Sequence, residues 1–116
     1  MIVTAWNNGD WHATGAGYGV KVRPEDRDRF FKKTWKSITL TFEGSKTKAR
    51  VNVAKKSFWS RTCHELINKE IGTWLQSNGI ASWSEGEPPK LWLEPLSDGE
   101  FLLRRITVEN NVPSRQ

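Results

Sequence analysis

The segment WKSITLTF–EGSK–TKARVNV, Trp35 to Val53, constrains this chain more than any other. It joins two runs rich in β-branched and apolar residues through a short turn, Glu43-Gly44-Ser45-Lys46. Side chains alternate across a strand, so Ile38, Leu40 and Phe42 share one face and Ser37, Thr39 and Thr41 the other. On the return, Ala49, Val51 and Val53 match the inner face. A hairpin with one apolar face must lay that face on something, which calls for a twisted or barrel-like sheet with a plug.

The remaining elements fit that requirement. Gly19 to Pro24 reads as a strand. Pro24 then opens a short helix, PEDRDRFFK, with Glu25 and Asp26 near its positive end and Phe30 and Phe31 as its buried side. After the hairpin, the basic stretch AKKSFWSR leads into a second helix. Thr62 and Glu65 form a capping box, and Cys63, Leu66, Ile67, Ile71, Trp74 and Leu75 make an apolar stripe, closed by Asn78-Gly79. Ile80 to Pro89 is a loop. Lys90 to Leu96 is a strand that Pro95 marks as an edge or a bulge. A turn at residues 97–100 returns the chain into a last strand, Phe101 to Val108. Residues 109–116 read as a flexible polar tail on a single domain spanning 1–116. Trp74 and Trp92 are expected inside, and Trp11 and Trp59 are candidates for exposure. The layout does not fit a parallel sheet wrapped by crossover helices.

Composition narrows function. The 116 residues carry 36% apolar and 27% charged side chains, an ordinary globular balance. No apolar run is long enough for a membrane helix, so no membrane partner is expected. The single cysteine, Cys63, excludes an intrachain disulfide and a cysteine zinc site, and suggests a cytoplasmic setting. The formal charge of +5 is unevenly spread. Residues 1–61 hold 13 Lys/Arg against 5 Asp/Glu, whereas residues 62–116 hold 5 against 8. A sided field of this kind suits a polyanion.

Catalytic patterns are weak. GAGYGVK lacks the lysine-then-hydroxyl order of a phosphate loop. His64-Glu65-Leu66-Ile67-Asn68 imitates a zinc-protease helix but has Asn68 where the second histidine belongs. Cys63 on an apolar stripe reads as a buried hydrophobe rather than a nucleophile. The expectation is a non-enzymatic protein without cofactor or metal.

Two irregular segments hold groups that bind phosphates and bases. The first, Asn7 to Tyr18, offers Asn7, Asn8, Trp11, His12 and Thr14, with Gly15, Gly17 and Gly19 permitting tight turns or a close backbone approach. The second offers Lys55, Lys56, Ser57, Trp59, Ser60 and Arg61. Asn7, Asn8, Lys56 and Arg61 are candidate base readers, and the other polar groups suit phosphate oxygens. Phe58 and Trp59 could equally pin the second segment to the core.

The order of elements resembles the B3-type DNA-binding domain of plant transcription factors and of bacterial restriction-enzyme recognition domains. GYGVKVRPEDRDRFFK is similar to that family's strand and short helix. TKARVNVAKKSFWSR is similar to its central strand and DNA-contacting arm, KEIGTWLQSNGI to its plugging helix, and SEGEPPKLWLEPLSDGEFLLRRI to its closing strands. The resemblance spans about residues 10 to 108. It implies an open seven-stranded β pseudobarrel, mainly β with two helices. It also implies sequence-specific binding of double-stranded DNA by two arms, Asn8 to Gly17 and Lys55 to Arg61, in the major groove. A separate nuclease or regulatory subunit would complete a role in restriction–modification or transcription regulation. The alternative is a related barrel turned to RNA, a modified base, a small molecule or a partner protein. Arms on opposite sides of the molecule, or Lys56 and Arg61 buried in ion pairs, would defeat the DNA reading.

Overall fold

The computed structural model describes residues 1–106. Seven strands and two helices follow one another as β1 Ile2–Asn7, β2 Tyr18–Val22, α1 Pro24–Phe30, β3 Ser37–Phe42, β4 Lys48–Asn52, β5 Glu65–Ile67, α2 Lys69–Ser77, β6 Lys90–Ser97 and β7 Glu100–Arg104. They form one sheet in the order β4-β3-β7-β6-β1-β2-β5. All neighbours are antiparallel except β3 and β7. The sheet curls until its outer strands approach, and Asn68 Nδ2, just past β5, donates to Arg50 O on β4 at 3.2 Å. The result is an open, nearly closed mixed pseudobarrel, as expected.

The hairpin forms in the register its alternation dictates, with Ile38 opposite Val51 and Leu40 opposite Ala49, all four buried. Val3, Val20, Leu91, Leu93, Phe101 and Leu103 face the same interior. Phe31 stacks on Phe101 with centroids 4.6 Å apart at one end of the barrel, and Trp74 of α2 meets Phe42 at 5.9 Å towards the other.

Two strands depart from the sequence-based expectation. Residues 2–7 form β1, paired with both β2 and β6. The expected capping box at Thr62 and Glu65 does not form, because Glu65 lies in β5 opposite Lys21. Pairing with β2 overrides the helical spacing. Leu66 turns inward and Ile67 outward in strand alternation, and Cys63 is exposed rather than buried. The helix starts after Asn68, whose Oδ1 accepts from Glu70 N at 2.8 Å.

Trp74 is buried, but Trp92 alternates with the inward Leu91 and Leu93 and lies on the outer face. Pro95 sits at a register irregularity beyond the first strand, whose hydrogen bonds to β6 end where Met1 and Leu93 exchange a pair, so the sheet needs no donor on that side there. The expected extension of the last strand to Val108 runs partly, and the 109–116 tail wholly, outside the described residues.

Asn68 serves two roles, so its substitutions should separate them. Asn68→Ala should cost about 1–2 kcal/mol in urea denaturation, since it removes both the cap and the hydrogen bond across the seam. Asn68→Asp keeps the cap acceptor and should recover most of that loss. Equal losses would place the stability in the seam.

Candidate nucleic-acid interface

Strand polarity decides where the two segments lie. β1 ends where β2 begins, Asn7 pairing with Tyr18, so residues 8–17 cross one end of the barrel, here the upper. β2 descends into α1 at the lower end. β5 is antiparallel to β2 and therefore enters from below, with Glu65 opposite Lys21. β4 ends below as well, Asn52 pairing with Ser37 at the start of β3. Residues 53–64 thus occupy the lower end.

Contacts agree with the polarity. The first segment packs on α2, where Gln76 Nε2 donates to His12 O at 2.8 Å. Gly15 (φ +87°) lies so close to α2 that a Cβ there would strike Lys69 O, and one on Gly72 would strike Gly15. The second segment is held by α1. The Arg27 guanidinium, 5% exposed, donates through Nη1 to Phe58 O at 2.9 Å and Ser60 O at 2.6 Å. The two arms therefore lie at opposite ends of the barrel, which counts against the DNA reading set out above. Lys56 and Arg61, however, are exposed, and among the described residues neither has a carboxylate partner.

Individual side chains divide between structural and available. Asn7 is spent on its own turn, its Oδ1 accepting from Gly9 N at 2.7 Å and its Nδ2 donating to Asp10 O at 3.0 Å. Asn8 Oδ1 accepts from Asp10 N at 3.0 Å, which leaves its Nδ2 available. Thr14 Oγ1 accepts from Ala16 N, and exposed His12 stands 3.8 Å from Asp10. Trp11 is 45% exposed and rests edge-on against Trp83 and Tyr18 at 4.8 and 5.8 Å.

Below, Phe58 is fully buried, the pinning role its sequence allowed. Trp59 is half-buried, its Nε1 donating to Val53 O at 2.8 Å and its ring bearing Arg27 and Lys33 at 5.3 and 5.7 Å. It is a clasp rather than a free stacking face. Ser60 Oγ donates to Ser57 O and accepts from Cys63 N at 2.8 Å, so it too is spent on the loop. Lys55, Lys56, Ser57 and Arg61 remain directed outward or partly so.

Sequence reasoning missed the cations that share the upper end with the first arm. Lys46 and Lys48 lie on the β3–β4 turn and the start of β4, and Lys69 opens α2. All three are exposed, and among the described residues none has a carboxylate partner. The first arm flanks one side of α2. The β3–β4 turn flanks the other, tied by Trp74 Nε1 to Glu43 O at 2.9 Å. The alternation of β4 already put Lys48 and Arg50 on its outer face; the end of the barrel they belong to follows only from the parallel β3–β7 pairing. Between this turn and α2 lies a polar pocket of about 370 Å³, lined in part by Glu43, Thr47, Glu70, Thr73 and Arg105. Arg105 Nε faces the Glu43 carboxylate at 3.6 Å. Among the described residues no cluster of His, Cys, Asp and Glu could hold a metal ion, and no helix is long and apolar enough to cross a membrane.

The fold and this surface define a small mixed β pseudobarrel with two helices, whose upper end carries Lys46, Lys48 and Lys69 together with the acidic side chains of Asp10, Glu43 and Glu70. No protein-family model matches the chain, and no curated protein or solved structure matches it.

Proposed function

We propose that the chain is a B3-like, non-catalytic module that binds double-stranded DNA through the upper end of its barrel. The observation that carries this reading is the placement of the first arm and unpartnered Lys46, Lys48 and Lys69 on both sides of α2. With α2 lying between the first arm and the β3–β4 turn, a ligand has two lines of contact. Phosphate neutralisation by such lysines supplies affinity and register, and the available amide of Asn8 with His12 supplies groups able to touch base edges. The second arm takes no part in this contact, so the two-jawed grip consists of the first arm and the β3–β4 turn. A separate nuclease or regulatory subunit would use the module as its address.

Fluorescence anisotropy of a labelled randomised duplex, followed over a salt series, tests this. The logarithm of the affinity should fall linearly with the logarithm of salt. Lys46→Ala with Lys48→Ala should reduce the magnitude of that slope by roughly 2, at about 0.9 for each phosphate no longer neutralised. An unchanged slope would remove the upper end from the interface. The pocket between the turn and α2 favours a second reading, a small polar ligand, which would bind without the salt dependence.

A further inference from the structure

The polar pocket between the β3–β4 turn and α2 has a charge balance unlike that of the lysines around it. We infer that it binds a small organic monocation bearing hydroxyl groups, a protonated amine on a sugar-like ring. This names the ligand class for the small-ligand reading of that pocket and rests on it. The duplex contact neither requires nor supplies it.

One face of α2 builds the first wall. Glu70, Thr73, Trp74, Ser77 and Asn78 recur at the three- and four-residue spacing that puts side chains on one side of a helix. Opposite stand Glu43, Ser45 and Thr47 of the turn, with Arg105 completing the lining. These walls are fixed before any ligand arrives. Buried Trp74 ties helix to turn through Nε1 to Glu43 O at 2.9 Å, and its own carbonyl accepts from Asn78 Nδ2 at 2.8 Å. Within the turn, Ser45 Oγ accepts from Thr47 N at 3.0 Å. At about 370 Å³ the space lies near the small end of the usual range for ligand sites, which suits a single substituted ring.

Charge decides what enters. Glu43 and Arg105 offset each other: the Arg105 backbone N–H donates to Glu43 Oε1 at 3.0 Å, and Arg105 Nε stands 3.6 Å from the same atom. Glu70 is half-buried, and among the described residues its carboxylate has no ion-pair partner. One negative charge is therefore left over, and Lys46, Lys48 and Lys69 do not line the pocket. A phosphate or carboxylate would face two glutamates and a guanidinium already turned to one of them. A metal ion would find too few ligands, since among the described residues no group of three His, Cys, Asp or Glu could hold one. An ammonium neutralises Glu70 and finds further acceptors in Glu43 Oε2 and Asn78 Oδ1.

The rest of the lining matches hydroxyl groups. Thr73 Oγ1 donates to Lys69 O at 3.2 Å, so only its lone pairs remain for a ligand. Ser45 uses its oxygen as an acceptor and keeps its O–H to donate, and Ser77 and Thr47 add two more hydroxyls. Groups that both donate and accept are met best by ligand hydroxyls, which do the same.

Amide NMR spectra of the labelled protein, titrated with glucosamine and with glucose at mildly acidic pH, test this. The two sugars share a ring, and glucose carries a hydroxyl in place of the ammonium. Glucosamine should shift the amides of Ser45, Thr47, Thr73 and Ser77 saturably, and glucose should bind more weakly by roughly tenfold or more. Glu70→Gln should bring glucosamine down to the level of glucose. Ser77→Tyr, at an exposed helix position, should fill the pocket and abolish both responses. Lys46→Ala with Lys48→Ala should leave glucosamine binding unreduced while it weakens duplex binding, so the pocket and the duplex contact fail separately. Thermal unfolding checks that each variant is folded. Equal affinity for the two sugars in the parent would keep a polar ligand but overturn the cation, as would unchanged glucosamine affinity in Glu70→Gln. Absence of a saturable response localised to the pocket, with either sugar, would overturn the site itself.

Discussion

Gly72→Ala should destabilise the protein by roughly 3 kcal/mol, although the same change inside an ordinary helix stabilises by about 1 kcal/mol. The sign inverts because of what the added methyl would meet. At Gly72 it would run into the carbonyl oxygen and Cα of Gly15 and come within 2.6 Å of the Tyr18 ring. Two of those three atoms are backbone, so no rotamer change can relieve the clash. Gly15 has its own constraint, a φ of +87° and the α2 backbone against its face. The first arm must therefore lift off α2, breaking the Gln76–His12 hydrogen bond. Urea denaturation measures the loss, and amide exchange should quicken specifically over residues 8–17. A stabilised Gly72→Ala protein with an undisturbed first arm would mean that the glycine pair is not the hinge of this packing.

Arg27→Ala should lower stability by a similar amount, roughly 3 kcal/mol, and reduce the melting temperature by about 10–20 °C. Its buried guanidinium satisfies Phe58 O and Ser60 O at once, and it also lies over Trp59 at 5.3 Å. Truncation leaves carbonyls without their charged donor and removes the stem that supports the 3-10 turn. Arg27→Lys should recover only part of the loss, because a single ammonium on a shorter head does not reproduce the planar guanidinium fork. Differential scanning calorimetry should rank the three proteins in the order parent, lysine, alanine. Full rescue by lysine would reduce the residue's role to charge alone.

Much of the fold is legible in the sequence because burial follows period. The alternation from Ser37 to Val53 specifies a hairpin and its register, and Pro95 announces the irregularity in β6. β5 escapes because Cys63, Leu66, Ile67 and Ile71 are spaced as a helix would space them, and three residues are too few to display alternation. Only the β2 edge, remote in sequence, makes Glu65–Ile67 a strand. Trp92 misleads for a related reason. Its periodicity reads as pointing inward, whereas the pleat assigns that side to Leu91 and Leu93.

The surface is legible as composition but not as geometry. Lysines, asparagines and glycines in the two irregular segments are visible, yet nothing local to either states which end of a barrel it occupies. That is set by pairings between strands remote in sequence, β2 with β5 for the second segment and β3 with β7 for the hairpin beside it. Trp59 and Ser60 illustrate the same limit at the scale of a side chain, since both offer polar groups that the loop itself consumes.

The insertion of β7 into the middle of the sheet also orders the molecule's assembly in time. During synthesis the β3–β4 hairpin emerges early, but both of its links to the other strands, the parallel contact of β3 with β7 and the seam to β5, join distant parts of the chain. Until Glu100–Arg104 leaves the ribosome, the free flank of β3 stays open to any other extended chain, and the growing molecule must wait for β7 before the barrel can close.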